Sequence, residues 1–217
     1  MKFSYSDALH NFQNGKINEA KEICEEILKS EPNNFNAYYL LGVVAFQTKN
    51  YIKSDDLISK AIKINPKNSE FYNFKGIALI HINKFEEAIE SWTKAIEIDP
   101  NSLDAYNNRG NALIKLKKNK LALKNFDQAL KLKPNFSQAL HNRSVVLKNL
   151  NKFEVALESV NKAIEINPKY VDAYNLKGVI LRELNQIENS LNSYDKAIKL
   201  NPNFADAHLN RGNLLLN

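Results

Sequence analysis

Hydrophobic and small residues recur along the chain at spacings that predict pairs of amphipathic helices. In residues 103–136, two sets of such residues lie at i, i+4 and i+7, so each set shares one face of a helix. The sets are Tyr106, Gly110 and Leu113, followed by Ala122, Phe126 and Ala129. Polar residues at 117–119 interrupt the apolar pattern, and we expect the turn between the two helices there.

This helix pair is one copy of a repeat of 34 residues. All six prolines follow that interval, at Pro32, Pro66, Pro100, Pro134, Pro168 and Pro202. Glycine follows it at Gly42, Gly76, Gly110, Gly178 and Gly212, with Ser144 in the place of the missing member. A fixed interval of this size is typical of stacked helical arrays, in which each unit packs only against its neighbours.

Two residue types indicate where the repeat ends and where it packs most closely. Pro134 should end the second helix, because it lacks a backbone N–H and disfavours helical geometry at Lys133. Gly110 lies within the first helix, where glycine costs roughly 1 kcal/mol relative to alanine. We expect close approach of the second helix, at Ala122 and Ala129, to be the reason for this glycine.

Three residue columns run through the repeats in register with the prolines. The first aromatic column contains Tyr38, Tyr72, Tyr106 and Tyr174, the second contains Trp92, Phe126 and Tyr194, and a small column contains Ala61, Ala95, Ala129, Ala163 and Ala197. Together with the interval, these columns resemble the tetratricopeptide repeat (TPR) family. The resemblance implies an all-α fold, a right-handed superhelical solenoid of helix-turn-helix units.

The resemblance covers essentially the whole chain, so we expect a single solenoid over residues 1–217. Residues 1–34 are predicted to be a degenerate amino-terminal cap unit, with an acidic, water-facing second helix. Five full repeats follow at 35–68, 69–102, 103–136, 137–170 and 171–204. Residues 205–217 form an incomplete repeat, which indicates either a piece of a longer protein or an uncapped end that meets another molecule, including a second copy.

The net charge of +6 raises the question of a nucleic-acid partner. The single repeat at 103–136 carries a charge of +6 by itself, with five lysines around its turn: Lys115, Lys117, Lys118, Lys120 and Lys124. A surface that follows phosphates should spread over several repeats, so we interpret these lysines as a solvated turn and do not expect nucleic-acid binding. An acidic partner is the alternative.

Motifs that carry catalytic chemistry are not found in the sequence. There is no phosphate-binding glycine-rich loop, no Cys/His cluster with metal spacing and no nucleophile motif. We therefore predict no enzymatic activity, no catalytic residues, no metal and no cofactor. Cys24 and His208 fall in the aromatic columns, and we expect both to be packed in the interior.

The amino-terminal residues lack an apolar run long enough for a signal peptide, and no later segment is long enough to span a bilayer. With 44% hydrophobic and 25% charged residues, the composition is that of an ordinary soluble protein. We expect a cytoplasmic protein with no membrane partner.

The TPR resemblance implies a concave groove that is lined by the first helices and that commonly binds extended peptides in this family. Helical angle and the family comparison then give the candidate groove residues. They are Tyr39, Asn73, His81, Asn107, Asn108, Asn111, Lys115, His141, Asn142, Lys148, Asn175 and Arg182. Asparagine amides can pair with the backbone of a peptide of any sequence, and the three cations favour acidic segments. The alternative interpretation is an unused polar surface.

Two comparisons within the TPR family refine the expected function. The carboxylate clamp of chaperone-binding members requires Lys and Asn four residues apart in one first helix, and no pair here matches it. Asn108, Asn142 and Asn210 resemble the asparagine ladder in the repeats of protein O-GlcNAc transferases, although three hydrophobic residues interrupt it. We therefore predict a protein-interaction scaffold, with the alternative of an amino-terminal, substrate-recruiting segment of a glycosyltransferase or another group transferase.

A column of basic residues immediately precedes the glycine position and consists of Lys75, Arg109, Arg143, Lys177 and Arg211. Its helical angle points it between neighbouring helices. Long side chains can pack there while their charges reach water or a nearby carboxylate. We interpret this column as structural.

Overall fold

A computed structural model describes residues 4–216 of the protein. Within this range all regular structure is helical, with thirteen α-helices and no strand. The helices are α1 (Tyr5–Gln13), α2 (Ile17–Ser30), α3 (Phe35–Gln47), α4 (Tyr51–Ile64), α5 (Ser69–Ile80), α6 (Phe85–Ile98), α7 (Leu103–Lys115), α8 (Asn119–Leu132), α9 (Ser137–Asn149), α10 (Phe153–Ile166), α11 (Val171–Glu183), α12 (Ile187–Leu200) and α13 (Ala205–Leu215). The predicted all-α helical-repeat fold is confirmed.

The chain divides into two compact units, 1–112 and 113–217, with the division inside α7. In the first unit α1 packs on α2, α3 on α4 and α5 on α6, and the second helix of one pair also packs on the first helix of the next pair. In the second unit α8 packs on α9, and α9 to α12 repeat the same order, with α13 packed on α12. Each repeat up to residue 204 thus supplies one first helix and one second helix, and α13 is a first helix.

The turn inside each repeat closes with the same backbone motif. In the repeat at 35–68, the N–H of Asn50 donates to the carbonyl of Ala45 at 2.8 Å, and the N–H of Lys49 donates to the carbonyl of Phe46 at 2.9 Å. These two bonds satisfy carbonyls at the end of the helix and require a left-handed residue after the cap. The left-handed residues are Gly15, Lys49, Asn83, Lys117, Asn151 and Asn185.

Proline sets the turn between repeats, as the sequence predicts. Lys133, which precedes Pro134, has φ −139° and ψ 91°, outside the helical region. Asn65 before Pro66 has a similar conformation, with φ −126° and ψ 86°. Asn34, beyond the first of these prolines, starts α3 by accepting a hydrogen bond from the N–H of Ala37 at 3.0 Å.

Three glycines of the first helices lie against bulky side chains of the second helices. A Cβ atom added to any of these three would come within 2.4–2.5 Å of a side-chain carbon. The contacts are Gly42 with Ile58, Gly76 with Trp92 and Gly178 with Tyr194. At these three positions the second helix approaches through the side chain sixteen residues later, which is aromatic in two of them. The expectation that Ala122 and Ala129 set the approach at Gly110 stays a prediction.

In the repeat at 137–170, the first and second helices are in contact through different residues. Ser144 replaces glycine, and its hydroxyl donates to the carbonyl of Ala156 at 2.8 Å. In the repeat at 35–68 the hydroxyl belongs to the second helix, where Ser54 donates to the carbonyl of Gly42, also at 2.8 Å. The bulky column here holds Val160, whose small side chain leaves room for the added Cβ and hydroxyl.

The core predictions for Cys24 and His208 have opposite outcomes. Cys24 is fully buried beside Ile23 and Ile27, and burial raises the pKa of its thiol to about 12, so the predicted packed thiol is confirmed. His208 is exposed, and its ring Nε2 lies 2.8 Å from the carbonyl of Pro202. The core assignment of His208 was wrong because no helix of the described chain covers that face of α13.

The second helix of residues 1–34 has the predicted acidic surface. Its four glutamates Glu19, Glu22, Glu25 and Glu26 are all exposed, and Ala20 on its opposite face is buried.

None of the helices in residues 4–216 combines the length and apolarity needed to cross a lipid bilayer.

The close contact at Gly76 predicts that adding a single methyl group at this position destabilises the protein. We expect Gly76→Ala to lower the free energy of unfolding by about 1–3 kcal/mol, because the new methyl group would overlap the ring of Trp92. Gly212→Ala is the control, since nothing lies within 4 Å of its added Cβ and alanine is the better helix former. Urea unfolding followed by circular dichroism measures both variants, and an equal loss in the two would contradict the packing explanation.

Lys117, the left-handed turn residue of the repeat at 103–136, predicts a substitution that raises the free energy of unfolding. Lys117 has φ 56°, where a residue with a Cβ is strained by about 1–2 kcal/mol and glycine is not. Because glycine also makes the unfolded chain more flexible, we expect Lys117→Gly to raise the free energy of unfolding by only about 0.5–1 kcal/mol. Lys124→Gly, in the interior of α8, should lower it by about 1 kcal/mol. Thermal melts compare the two, and destabilisation by both would refute the turn assignment.

Candidate functional site

The predicted groove residues all lie on first helices or directly after them, in both units. We call those of residues 1–112 the first-helix face of unit 1: Tyr39 on α3, Asn73 on α5 with His81 at its end, and Asn107, Asn108 and Asn111 on α7. We call those of residues 113–217 the first-helix face of unit 2: Lys115 on α7, His141, Asn142 and Lys148 on α9, and Asn175 and Arg182 on α11.

Tyr39 joins α3 to α5 on the first-helix face of unit 1. Its ring lies 4.8 Å from that of Phe71 and 5.8 Å from that of Phe74, measured between centroids. Its hydroxyl donates to Oε1 of Glu70 at 2.9 Å. Burial, with the Glu70 contact adding to it, raises the pKa of the Tyr39 phenol, so the group stays a protonated donor at neutral pH.

A second aromatic group continues this surface to the end of α5. Phe46 contacts Phe74 at 5.3 Å and the ring of His81 at 5.0 Å, both edge to face. His81 in turn stacks on Tyr51 with 4.4 Å between the ring centroids. Because His81 is exposed, this group offers a ligand an aromatic surface with a polar edge.

Asparagine amides pair between successive first helices. Nδ2 of Asn210 donates to Oδ1 of Asn175 at 3.0 Å in the second unit. In the first unit Nδ2 of Asn108 approaches Oδ1 of Asn73 at 3.5 Å, a longer and weaker contact. Each pair uses one donor and one acceptor site, so these four amides keep further donors and acceptors for a ligand.

Asn107 differs from the other amides of the first-helix face of unit 1. It is only 4% exposed, whereas Asn108 and Asn111 are partly exposed. Its amide is therefore part of the interior packing, and a ligand on the surface meets Asn108 and Asn111 first.

His141 and Asn142 are packed on the first-helix face of unit 2. The ring of His141 lies 5.0 Å from that of Tyr170, and its Nδ1 lies 3.2 Å from Oδ1 of Asn142. Burial lowers the pKa of His141, although Asn142 and Asp172 partly oppose this effect. His141 is thus a neutral ring that supports the surface.

The three cations of the first-helix face of unit 2 differ in how they are held. Lys115 is exposed and Lys148 is half-buried, and neither has a hydrogen bond or an ion pair among the described residues. Arg182 donates through Nη2 to Oε1 of Glu183 at 2.8 Å, an exposed pair of the kind that contributes little to stability. An acidic ligand group can therefore compete with Glu183 for this guanidinium.

The basic column has contacts that confirm its structural interpretation at four of five positions. Each of these residues reaches the second helix of the preceding repeat, at the position sixteen residues earlier. Lys75 donates to Ser59 at 2.8 Å, Arg109 to Thr93 at 3.0 Å, Arg143 to Asp127 at 2.7 Å and Arg211 to Asp195 at 2.6 Å. These bonds attach a first helix to the repeat before it.

Four residues that contact the aromatic part of the first-helix face of unit 1, or Tyr39 on it, are not predicted from the sequence. Phe71, Phe74 and Glu70 lie at neighbouring positions of α5, and Tyr51 begins α4. From the sequence alone, Phe74 is only one of the hydrophobic residues that interrupt the asparagine ladder. The sequence did contain an indication, since aromatic residues are concentrated at 35–74.

The described residues include no group of three or more His, Cys, Asp or Glu side chains arranged to hold a metal ion.

Family models match most of the chain. A TPR repeat model matches residues 76–117 and 178–217, and tetratricopeptide repeat models match 103–136, 137–170 and 160–191, so that together they cover 76–217. A model of the anaphase-promoting complex, cyclosome, subunit 3 matches 13–95. No curated protein matches the sequence significantly.

Solved structures share the fold at low sequence identity. PilF of Pseudomonas aeruginosa is 18% identical, with 96% of this chain and 95% of that chain covered and a TM-score of 0.82. YrrB, described as a TPR protein with an unusual peptide-binding site, is 22% identical, with 86% and 96% covered and a TM-score of 0.70. A thermophilic TPR protein of Thermus thermophilus is 18% identical, with 84% and 100% covered and a TM-score of 0.67. These matches give no support to the resemblance to O-GlcNAc transferases, which stays a prediction.

The environment of His141 predicts a pH dependence of stability. Its pKa in the folded protein lies below the unfolded value of 6.5, so the unfolded chain binds the proton more readily. The stability that His141 contributes is complete above pH 6.5 and is lost as the pH falls through the lowered value. We expect His141→Gln to lose less stability than the parent between about pH 7 and about pH 5 in urea titrations. His10→Gln makes the same substitution at an exposed position of α1 and is the matched control, and an equal effect of the two variants would contradict the assignment.

Proposed function

The chain belongs to the tetratricopeptide repeat family, and on this basis we propose that it is a protein-interaction scaffold that binds an extended segment of a partner protein on its first-helix faces. The proposal assigns binding and no catalytic step. It rests on the continuity of side-chain contacts between successive first helices.

That continuity is clearest in unit 1. Tyr39 on α3 contacts Phe74 on α5, and Asn73 on α5 contacts Asn108 on α7. Side chains of three successive first helices therefore form one uninterrupted surface. An extended peptide, which exposes its own N–H and C=O groups along its length, is the ligand that suits a surface with amides at regular intervals.

The two faces favour different ligand side chains. In unit 1 the aromatic surface around Phe46 and His81 suits an apolar or aromatic side chain, which gains from burial against rings. In unit 2 the cations Lys148 and Arg182 suit a carboxylate. A segment that carries both apolar and acidic residues is thus the partner we propose, and either face alone supplies a binding surface.

Selection of peptides from a random display library against the intact chain tests the proposal, because a library samples many sequences and so does not require an identified partner. One variant per unit then locates the site: His81→Ala with Asn111→Ala in unit 1, and Lys148→Ala with Arg182→Ala in unit 2. Each lost polar contact is worth about 0.5–1.5 kcal/mol, so at least one double variant should bind the selected peptides about tenfold more weakly.

The matched control is Lys131→Ala with Lys199→Ala, which removes two exposed lysines from second helices. We expect it to change the Kd less than about twofold. Circular dichroism melts establish that all variants fold. Selected peptides that bind both double variants as tightly as the parent, or that are lost equally in the control, would refute binding on the first-helix faces.

A further inference from the structure

Lys177 is the one member of the basic column without a polar partner among the described residues. The position sixteen residues earlier holds Asn161, where two other repeats have Asp127 and Asp195. The side chain of Lys177 has no hydrogen bond and no ion pair in the described part of the chain, although it is half-buried. Its ammonium group therefore has hydrogen-bond donors that no described residue uses.

A pocket of about 410 Å³ opens at this position between α10 and α12, with α11 as its floor. Lys177 and Lys196 bring two positive charges to it, and Asn161 and Asn192 bring amides with no hydrogen bond among the described residues. Leu157, which is half-buried, supplies apolar surface. No carboxylate is among the described residues that line it.

The equivalent pockets of other repeats differ in this respect. The pocket at α4 to α6 includes Glu87 and Glu90, and that at α8 to α10 includes Asp127 and Glu158. The pocket at α2 to α4 includes Glu25. Among these four pockets, the pocket at Lys177 is the one whose described lining contains no carboxylate.

We propose that this pocket binds a glutamate or aspartate side chain of a partner polypeptide. The carboxylate accepts hydrogen bonds from Nζ of Lys177 and of Lys196, and the methylene groups of the same side chain pack on Leu157. Asn161 and Asn192 bond the backbone of the same segment. A bare phosphate ion satisfies the two lysines but leaves the apolar surface unused, so the geometry favours a side chain.

This site is separate from the first-helix faces. Its lining comes mainly from the second helices α10 and α12, with a smaller part from α11. Asn175 and Arg182 of the first-helix face of unit 2 are not part of it. The inference therefore does not depend on the proposed peptide-binding function, and each can fail alone.

Titration of the ¹⁵N-labelled intact chain tests the site. The probe is an N-acetylated, C-amidated peptide of alternating glycine and glutamate, and the matched peptide has glutamine in place of glutamate. We expect the glutamate peptide to shift the amide resonances of Asn161, Lys177 and Lys196. Lys177→Gln should weaken this binding about five- to tenfold, as expected for one charged hydrogen bond.

Lys199→Gln is the control, because it removes the same charge from an exposed position of α12 outside the pocket, and it should change the Kd less than about twofold. If Lys177→Gln does not fold, Lys196→Gln at the exposed rim replaces it. Three results would overturn the proposal: no shifts at the pocket, equal binding of the glutamine peptide, or tighter binding of inorganic phosphate to the same residues.

Discussion

The contact between the backbone of a first helix and a bulky side chain of its second helix is the interaction on which the rest of the structure depends. At Gly76 the ring of Trp92 occupies the space that a Cβ atom would fill, and at Gly178 the ring of Tyr194 does so. This packing fixes the distance between the two helices of a repeat. The faces that point away from the contact are thereby left to carry other side chains.

Successive repeats are joined by a different kind of interaction. Basic side chains of the first helices hydrogen-bond with hydroxyl or carboxylate groups of the preceding second helix, as Arg143 does with Asp127 and Arg211 with Asp195. Such bonds are directional, so they fix the register of neighbouring repeats while apolar burial supplies most of the stability. The basic residue thus has a role within the protein at four of the five positions, whereas Lys177 has no polar partner in the part of the chain that the structure describes.

The sequence predicts the features that depend on one repeat and its interval. The helix pairs, the end of the second helix before Pro134 and the buried thiol of Cys24 all follow from residue type and periodicity.

The features that the sequence does not predict depend on contacts between repeats. Helical angle places Asn107 on the surface with its neighbours, but contacts in the folded chain bury it. The aromatic part of the first-helix face of unit 1 shows the same limit, because the relation of Phe74 and Tyr51 to Phe46 becomes visible only when α3, α4 and α5 are packed together. The all-α repeat fold and its helix pairs could therefore be predicted, whereas the composition of the candidate site could be predicted only in part.

The hydroxyl at the crossing of the two helices belongs to the second helix in one repeat, as Ser54, and to the first helix in another, as Ser144. In both cases it bonds a carbonyl on the opposite helix, so the two positions are chemically reciprocal. Substitutions there are coupled: a serine gained on one side is compatible with one lost on the other. Modules of this kind can diverge in pairs of residues while their hairpin geometry stays the same, which is how one chain can contain unlike repeats on a common frame.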